Sequence, residues 1–271
     1  AVTCHTHYQP APQKLLMGSA ATNGSLLKRA AFRGRAAHAA GAPHQGVNAL
    51  CAASLAINAL GLIRETFRDE DAVRVAAVMG ESDHIVNVIP AHATLNLQLR
   101  ANNTLALEKA DAAADRCLRA GALALGAEVE IDTLPGYLPS RMIPATPWQA
   151  EIADVLTQPG ENRMLTGPES VAISTDVGDL TQVMPVFSFT MGGSTGALHS
   201  AAYQIIDEET AYILPAKVMA LSVYRLLRDG AAELKRVASQ RESYLPLESY
   251  LKALGQENRT QTYPAERMEN P

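Results

Sequence analysis

The chain has 271 residues, of which 47% are hydrophobic, 19% charged and 5% aromatic, proportions that fit a folded globular chain and exclude collagenous, low-complexity and wholly disordered classes. Lys and Arg total 23 against 28 Asp and Glu, so the net charge of -5 and pI near 5.8 supply no electrostatic pull toward nucleic acid or anionic lipid, and neither partner is expected. The longest apolar stretch, Cys51 to Ile63, is broken by Ser54 and Asn58 and falls short of the ~20 residues a membrane span needs, while Cys4, Cys51 and Cys117 lack CxxC spacing, which argues against a disulfide framework and fits a reducing cytoplasm.

At ~150 residues per domain the length allows two modest domains or one large one. The opening residues read as a strand ending near Cys4, His5 and His7. The clearest architectural signal then runs through residues 26–135, where the hydrophobic period changes in the order β-α-β-β-α-β. Leu27 to Ala37 alternates as a strand, and Gly46 to Thr66 carries Val47, Leu50, Ala53, Leu55 and Leu60 at helical spacing. Val73 to Val78 and Ala91 to Leu99 read as a hairpin around a turn at Gly80 to His84. Thr104 is placed to cap a second long helix through Ala124, and Glu128 to Ile131 is a short strand before Pro135-Gly136 breaks the pattern. This order predicts a split βαβ, ferredoxin-like sandwich with one helical face.

From residue 136 onward the elements do not complete a fold by themselves. Thr146-Pro147 predicts a helix start with an end near Leu156, Val186 to Met191 predicts a buried strand, and Pro215 opens a helix reaching Leu227. After Gly230 an amphipathic segment runs to about Leu254, and the polar residues beyond it are expected to be unstructured. The pieces at 1–25 and 136–230 read as parts of one α/β layer into which the smaller domain is inserted. The absence of an initiator Met, and of the opening strands such a layer needs, leads to the expectation that the chain is the distal portion of something longer.

Histidines single out the candidate chemistry. His5 and His7 lie at a strand end, and His199 follows the Gly192 to Gly196 turn, positions where α/β folds assemble ligands. His38 stands among small residues that leave room for a substrate. Each of these also fits a hydrogen-bonded surface histidine. Asn87 and Arg100 read either as a carboxylate clamp or as surface residues of the hairpin, and Ser174 to Asp179 either as an active-site loop or as a polar turn before a helix.

The run Phe32-Arg33-Gly34-Arg35-Ala36-Ala37-His38-Ala39-Ala40-Gly41-Ala42-Pro43-His44-Gln45-Gly46-Val47-Asn48-Ala49 resembles the lid-domain signature of the M20 metallopeptidase and amidohydrolase family, in its aminoacylase-like and aminobenzoyl-glutamate hydrolase-like branch. Asn87-Val88-Ile89-Pro90 with Arg100, Gly136-Tyr137-Leu138-Pro139, Ser174 to Asp179 and Leu198-His199-Ser200 resemble further landmarks of that family in the same order. The resemblance implies the distal part of an α/β catalytic domain with an inserted α+β, βαββαβ ferredoxin-like lid. The implied segments are 1–25 (catalytic), 26–135 (lid and dimerisation), 136–230 (catalytic) and 231–271 (C-terminal helix and polar tail).

The same resemblance implies a hydrolase that cleaves the amide of N-acyl or N-aroyl amino acids or small peptides with a pair of divalent metals, zinc first, with manganese, nickel or cobalt as alternatives. It implies His199 and His5 as metal ligands, with His7 as a register alternative to His5. His38 matches the lid imidazole that reaches across a homodimer toward the developing oxyanion, and Asn87 and Arg100 match the holders of the substrate carboxylate. The family's early His-x-Asp segment and its Glu-Glu pair with the general base have no counterpart, since Glu208-Glu209 comes after His199. This segment alone is therefore expected to be inactive. The alternative is a non-catalytic dimerisation or carboxylate-binding module of the same fold.

Overall fold

The computed structural model describes residues 1–6, 13–239 and 244–265. The chain divides into two compact units, each described by itself: one is Ala1–Thr22, Ser140–Val171 and Asp176–Leu247, the other Asn23–Pro139, Ala172–Thr175 and Glu248–Pro271. In chain order the elements are β1 (Val2–Thr6), β2 (Leu15–Met17), β3 (Ala21–Thr22), β4 (Gly24–Arg33), α1 (Ala49–Ile63), β5 (Arg74–Ser82), β6 (His92–Ala101), α2 (Thr104–Leu125) and β7 (Glu128–Pro135). There follow α3 (Pro147–Leu156), β8 (Asn162–Met164), β9 (Ser170–Val171), α4 (Val177–Val183), β10 (Phe187–Met191), β11 (Ser194–Thr195), β12 (Gln204–Ile205), α5 (Leu214–Ala238), α6 (Leu247–Glu257) and β13 (Arg259–Tyr263).

The unit built on Asn23–Pro139 shows the β-α-β-β-α-β order in sequence, and its strands form one antiparallel sheet in the order β13-β7-β4-β6-β5. Alternation decides its faces: Leu26, Ala30 and Phe32 of β4, Leu95, Leu97 and Leu99 of β6, and Val129 and Ile131 of β7 point into a core beneath α1 and α2. Both helices meet that core with small residues, Ala49, Ala52, Ala53 and Ala56 on α1 and Ala110, Ala113, Ala114 and Gly121 on α2. By length and composition Ala49–Thr66 passes for a membrane span, but its alanine stripe is the packed inner face of a sheet-covering helix. Asn103 rather than Thr104 caps α2, its side chain accepting from the Ala106 amide, because Thr104 already has helical geometry.

The other unit carries a four-stranded sheet, β1-β10-β2-β8, in which β1 runs parallel to β10 and β2 parallel to β8 while β10 and β2 are antiparallel. Thr146 and Gln149 form the capping box that starts α3 as the Thr-Pro pair predicts. Trp148 packs edge-on against Phe187 with ring centroids 4.9 Å apart, joining α3 to β10 over a core that includes Leu15, Met17, Phe189 and Val218. The helix opened by Pro215 breaks at Arg228–Ala231, where the backbone leaves helical geometry.

The segment after Leu254 departs from expectation. Arg259–Tyr263 is not an unstructured tail but β13, paired antiparallel with β7 from Arg259↔Thr133 to Tyr263↔Val129. Residues 248–271 accordingly belong with the Asn23–Pro139 unit. The hairpin strands also run longer than predicted: β5 continues through Gly80 to Ser82 by way of a bulge after Met79, so the connection to β6 is 83–91.

Candidate functional site

His38 owes its position to the loop that follows β4. Gly34 lets the chain turn there, because a Cβ on it would sit 2.0 Å from the Val47 carbonyl oxygen. Arg35 then bridges to Val47, and Ala37 and Ala39 hydrogen-bond with Ile89 and Asn87, so the His38 strip lies antiparallel to 87–89. His38 and Asn87 are thus brought side by side by backbone pairing. The exposed His38 ring accepts at Nδ1 from the amides of Gly41 (2.9 Å) and Ala40 (3.2 Å). Two N–H donors on one nitrogen leave the proton of the neutral ring on Nε2, facing outward as a hydrogen-bond donor.

Asp83 ties the base of the same loop by accepting from the Ala91 and His92 amides at 2.8 and 3.0 Å. These two bonds, Ala91 first, hold its carboxyl below the usual carboxylate range. A lowered carboxyl pKa stabilises the folded loop above the ordinary Asp range and is lost as pH falls through the lowered value, so the tie is intact at neutral pH.

Arg100 is elsewhere on this unit. It lies eight residues along β6 from His92, about 27 Å at 3.4 Å per residue, whereas Asn87 precedes the N-terminal end of that strand. The structure therefore does not bring Asn87 and Arg100 together within one copy. Arg100 instead faces Arg74 across the β5–β6 ladder and bonds Gln98 Oε1 at 2.8 Å. Among the described residues neither guanidinium has a carboxylate partner. Like charges directly opposite one another are unfavourable in a sheet, and an anion lying between them relieves this.

In the other unit, His5 is the penultimate residue of β1, in register with Thr190 of β10. Because β1 and β10 are parallel, His5 lies at the same C-terminal end of the strands from which the chain leaves toward the β11–β12 hairpin that carries His199. His5 Nδ1 lies 2.7 Å from the Thr6 carbonyl, which can only accept, so Nδ1 bears the proton and Nε2 keeps a free lone pair, the tautomer of a metal-ligating histidine. His199 is a non-glycine residue with φ of 63° in a tight turn held by Ser200, whose amide and hydroxyl both donate to the Ala197 carbonyl. His7 lies outside the described residues.

The donor set fits a metal only in part. A zinc site uses three or four protein ligands, and among the described residues no group of three or more His, Cys, Asp or Glu side chains converges. Glu209 is engaged with Lys217 at 2.7 Å, and the Ser174 to Asp179 run leads into the first turn of α4. No catalytic step follows from these residues alone.

A separate cluster went unseen in sequence. Lys28, with a fully buried side chain on β4, contacts Asp111 and Asp115 of α2 at 2.6 Å each and donates to Thr133 Oγ1 at 2.8 Å, while Arg259 of β13 pairs with the same two aspartates. Strand parity held the signal, since Lys28 falls on the inward row with Leu26 and Ala30, and Asp111 and Asp115 are one helical turn apart.

Residues 21–124 match the peptidase dimerisation domain of the M20 family. That match covers less than half of this chain. The chain is 30% identical over 181 residues to the human (Homo sapiens) Xaa-Arg dipeptidase, a stretch that is 64% of this chain and 39% of that protein. Among solved structures, an amidase of the hydantoinase/carbamoylase family from Burkholderia vietnamiensis aligns over 80% of this chain and 53% of its own with a TM-score of 0.58 at 18% identity. The aminobenzoyl-glutamate utilization protein from Klebsiella pneumoniae aligns over 81% and 52% with a TM-score of 0.54, also at 18% identity. The chain thus spans about two fifths of its curated relative and about half of these structures. The curated relative is a dipeptidase, and the solved structures are alike in fold.

Proposed function

We propose that the chain forms part of a metal-dependent amidohydrolase acting on N-acyl or N-aroyl amino acids or small peptides. One observation carries this reading: the parallel pairing of β1 with β10 sends His5 and the His199 hairpin to one end of the sheet, with the His5 lone pair free. The two imidazoles serve as ligands for a pair of divalent metals, zinc first, whose remaining ligands and general base lie outside these residues. His38 donates from Nε2 to the developing oxyanion. Three free cysteines support a reducing compartment. The βαββαβ unit is read as a ferredoxin-like lid.

The lid also serves as the homodimer module. β5 is an open edge strand whose stretch Val75–Gly80 has no charge and no proline, and Val78 is 66% exposed. Leu62, 77% exposed, stands two turns from Leu55 on α1, a helix that touches β5. Uncharged edges of this kind invite strand pairing. In such a dimer His38 and Asn87 come from one copy and Arg100 from the other, which accommodates their separation along β6. Val78→Lys is expected to turn dimer into monomer in sedimentation velocity; a dimer of unchanged strength moves the interface away from β5.

A carboxylate-binding module without catalysis is the second reading, favoured by the Arg74–Arg100 pair. Zinc titration of the 271-residue chain against a chromophoric chelator separates the two. One weak site lost in both His5→Ala and His199→Ala is the expected result, with no cleavage of N-acetyl amino acids by this chain. Unchanged zinc binding in either variant removes that histidine from the shell, and turnover by the chain alone removes the incomplete-shell reading.

A further inference from the structure

The sheet of the Asn23–Pro139 unit has two ends, and they are treated differently. Among the described residues β5 is bare at one end; at the other, β7 is covered by β13. β13, Arg-Thr-Gln-Thr-Tyr, has strand-forming threonines and a tyrosine but few apolar groups to bury. What holds it is specific to this edge. Arg259 reaches under the sheet to Asp111 and Asp115, neutralising the two carboxylates that Lys28 balances only by half. Thr260 Oγ1 donates to Asp132 at 2.6 Å, and Tyr263 packs on the core with the Arg119 guanidinium 4.3 Å from its ring centre.

We propose that Arg259–Tyr263 is an edge guard: it occupies β7 so that a second copy can add to the sheet only at β5. A sheet with two bare antiparallel edges accepts a copy at each, and such head-to-tail addition need not close. With β7 covered, the remaining edge pairs with its own equivalent about a two-fold axis and assembly stops at two. The edge also selects its occupant. β7 presents Glu128, Glu130 and Asp132 on the outer face and has Asp111 and Asp115 beside it on the inner face. A strand without an arginine at the Arg259 position leaves those inner carboxylates undercompensated. The inference rests on the β5 reading only for the size of the final assembly, not for the covering of β7.

The test uses the full chain with Arg259→Glu, which adds a third carboxylate to the cluster, and with Tyr263→Ala as a milder release that leaves Lys28 and both aspartates in place. Sedimentation velocity across a concentration series and hydrogen exchange of the β7 amides are read for each. In the intact chain no species larger than a dimer is expected. In Arg259→Glu the β7 amides exchange at least tenfold faster and species larger than the parent appear with concentration; Tyr263→Ala moves the same way by less. Adding Val78→Lys to Arg259→Glu is expected to remove the larger species, because head-to-tail contacts also use β5. Faster exchange without larger species, or no change in either readout, overturns the guard. If the intact chain is a monomer that Val78→Lys leaves alone, the β5 reading fails, while larger species in Arg259→Glu still uphold the guard.

Discussion

Replacing Lys28 with Ala is expected to destabilise the Asn23–Pro139 unit by about 3–5 kcal/mol, the cost of leaving buried charges without their partner. The Lys28 side chain is fully buried and meets two carboxylates that are themselves only 13% and 15% exposed. Without it, Asp111 and Asp115 share the single guanidinium of Arg259. The charge, rather than the lost methylenes, dominates, so Lys28→Met is expected to be nearly as damaging. Combining Lys28→Met with Asp115→Leu leaves one balanced Asp111–Arg259 pair and is expected to recover most of the loss, because apolar replacements of a matched pair are often neutral. Urea titration of each variant, with hydrogen exchange of the β4 and β6 amides, measures both effects. A loss below ~1 kcal/mol for Lys28→Ala, the range of exposed pairs, would mean that water reaches the cluster.

The second large effect is expected at Gly121, where two general rules oppose each other. Replacing a helical glycine with alanine ordinarily stabilises by ~1 kcal/mol. Here a Cβ would lie 2.5 Å from the Ala52 carbonyl oxygen and 2.8 Å from the Ala56 nitrogen, both backbone atoms of α1 that cannot swing aside. Overpacking of this kind costs typically ~1–3 kcal/mol, so the sign reverses: Gly121→Ala lowers stability and Gly121→Val lowers it further. Thermal unfolding of the two variants decides this, and a raised midpoint for Gly121→Ala would place α1 and α2 farther apart than described.

Much of the fold was legible in the sequence because its signals are local. The alternation within Leu27 to Ala37, the helical spacing of Val47, Leu50, Ala53, Leu55 and Leu60 and the Thr146-Pro147 start each depend on neighbours within a few residues, although the strand ends at Arg33 and Leu55 is exposed. What escaped notice depends on distant partners. β13 buries little apolar surface and exists because Arg259 finds aspartates 148 and 144 positions earlier (259 - 111 and 259 - 115). Lys28 reads as a solvated residue until strand parity turns it inward. The candidate site divides the same way. The family resemblance pointed to His38, Asn87, Arg100 and His199, but only the β1–β10 register puts His5 at the same end of the sheet as the His199 hairpin, and only the β5–β6 register sets Arg74 beside Arg100.

The separation of Asn87, before β6, from Arg100 near its far end bears on control. On the proposed reading, a solitary copy owns half of the grip on its ligand's anionic end, and association supplies the other half. Whatever parts two copies, dilution included, then also silences capture, so abundance itself sets how much of the population is competent.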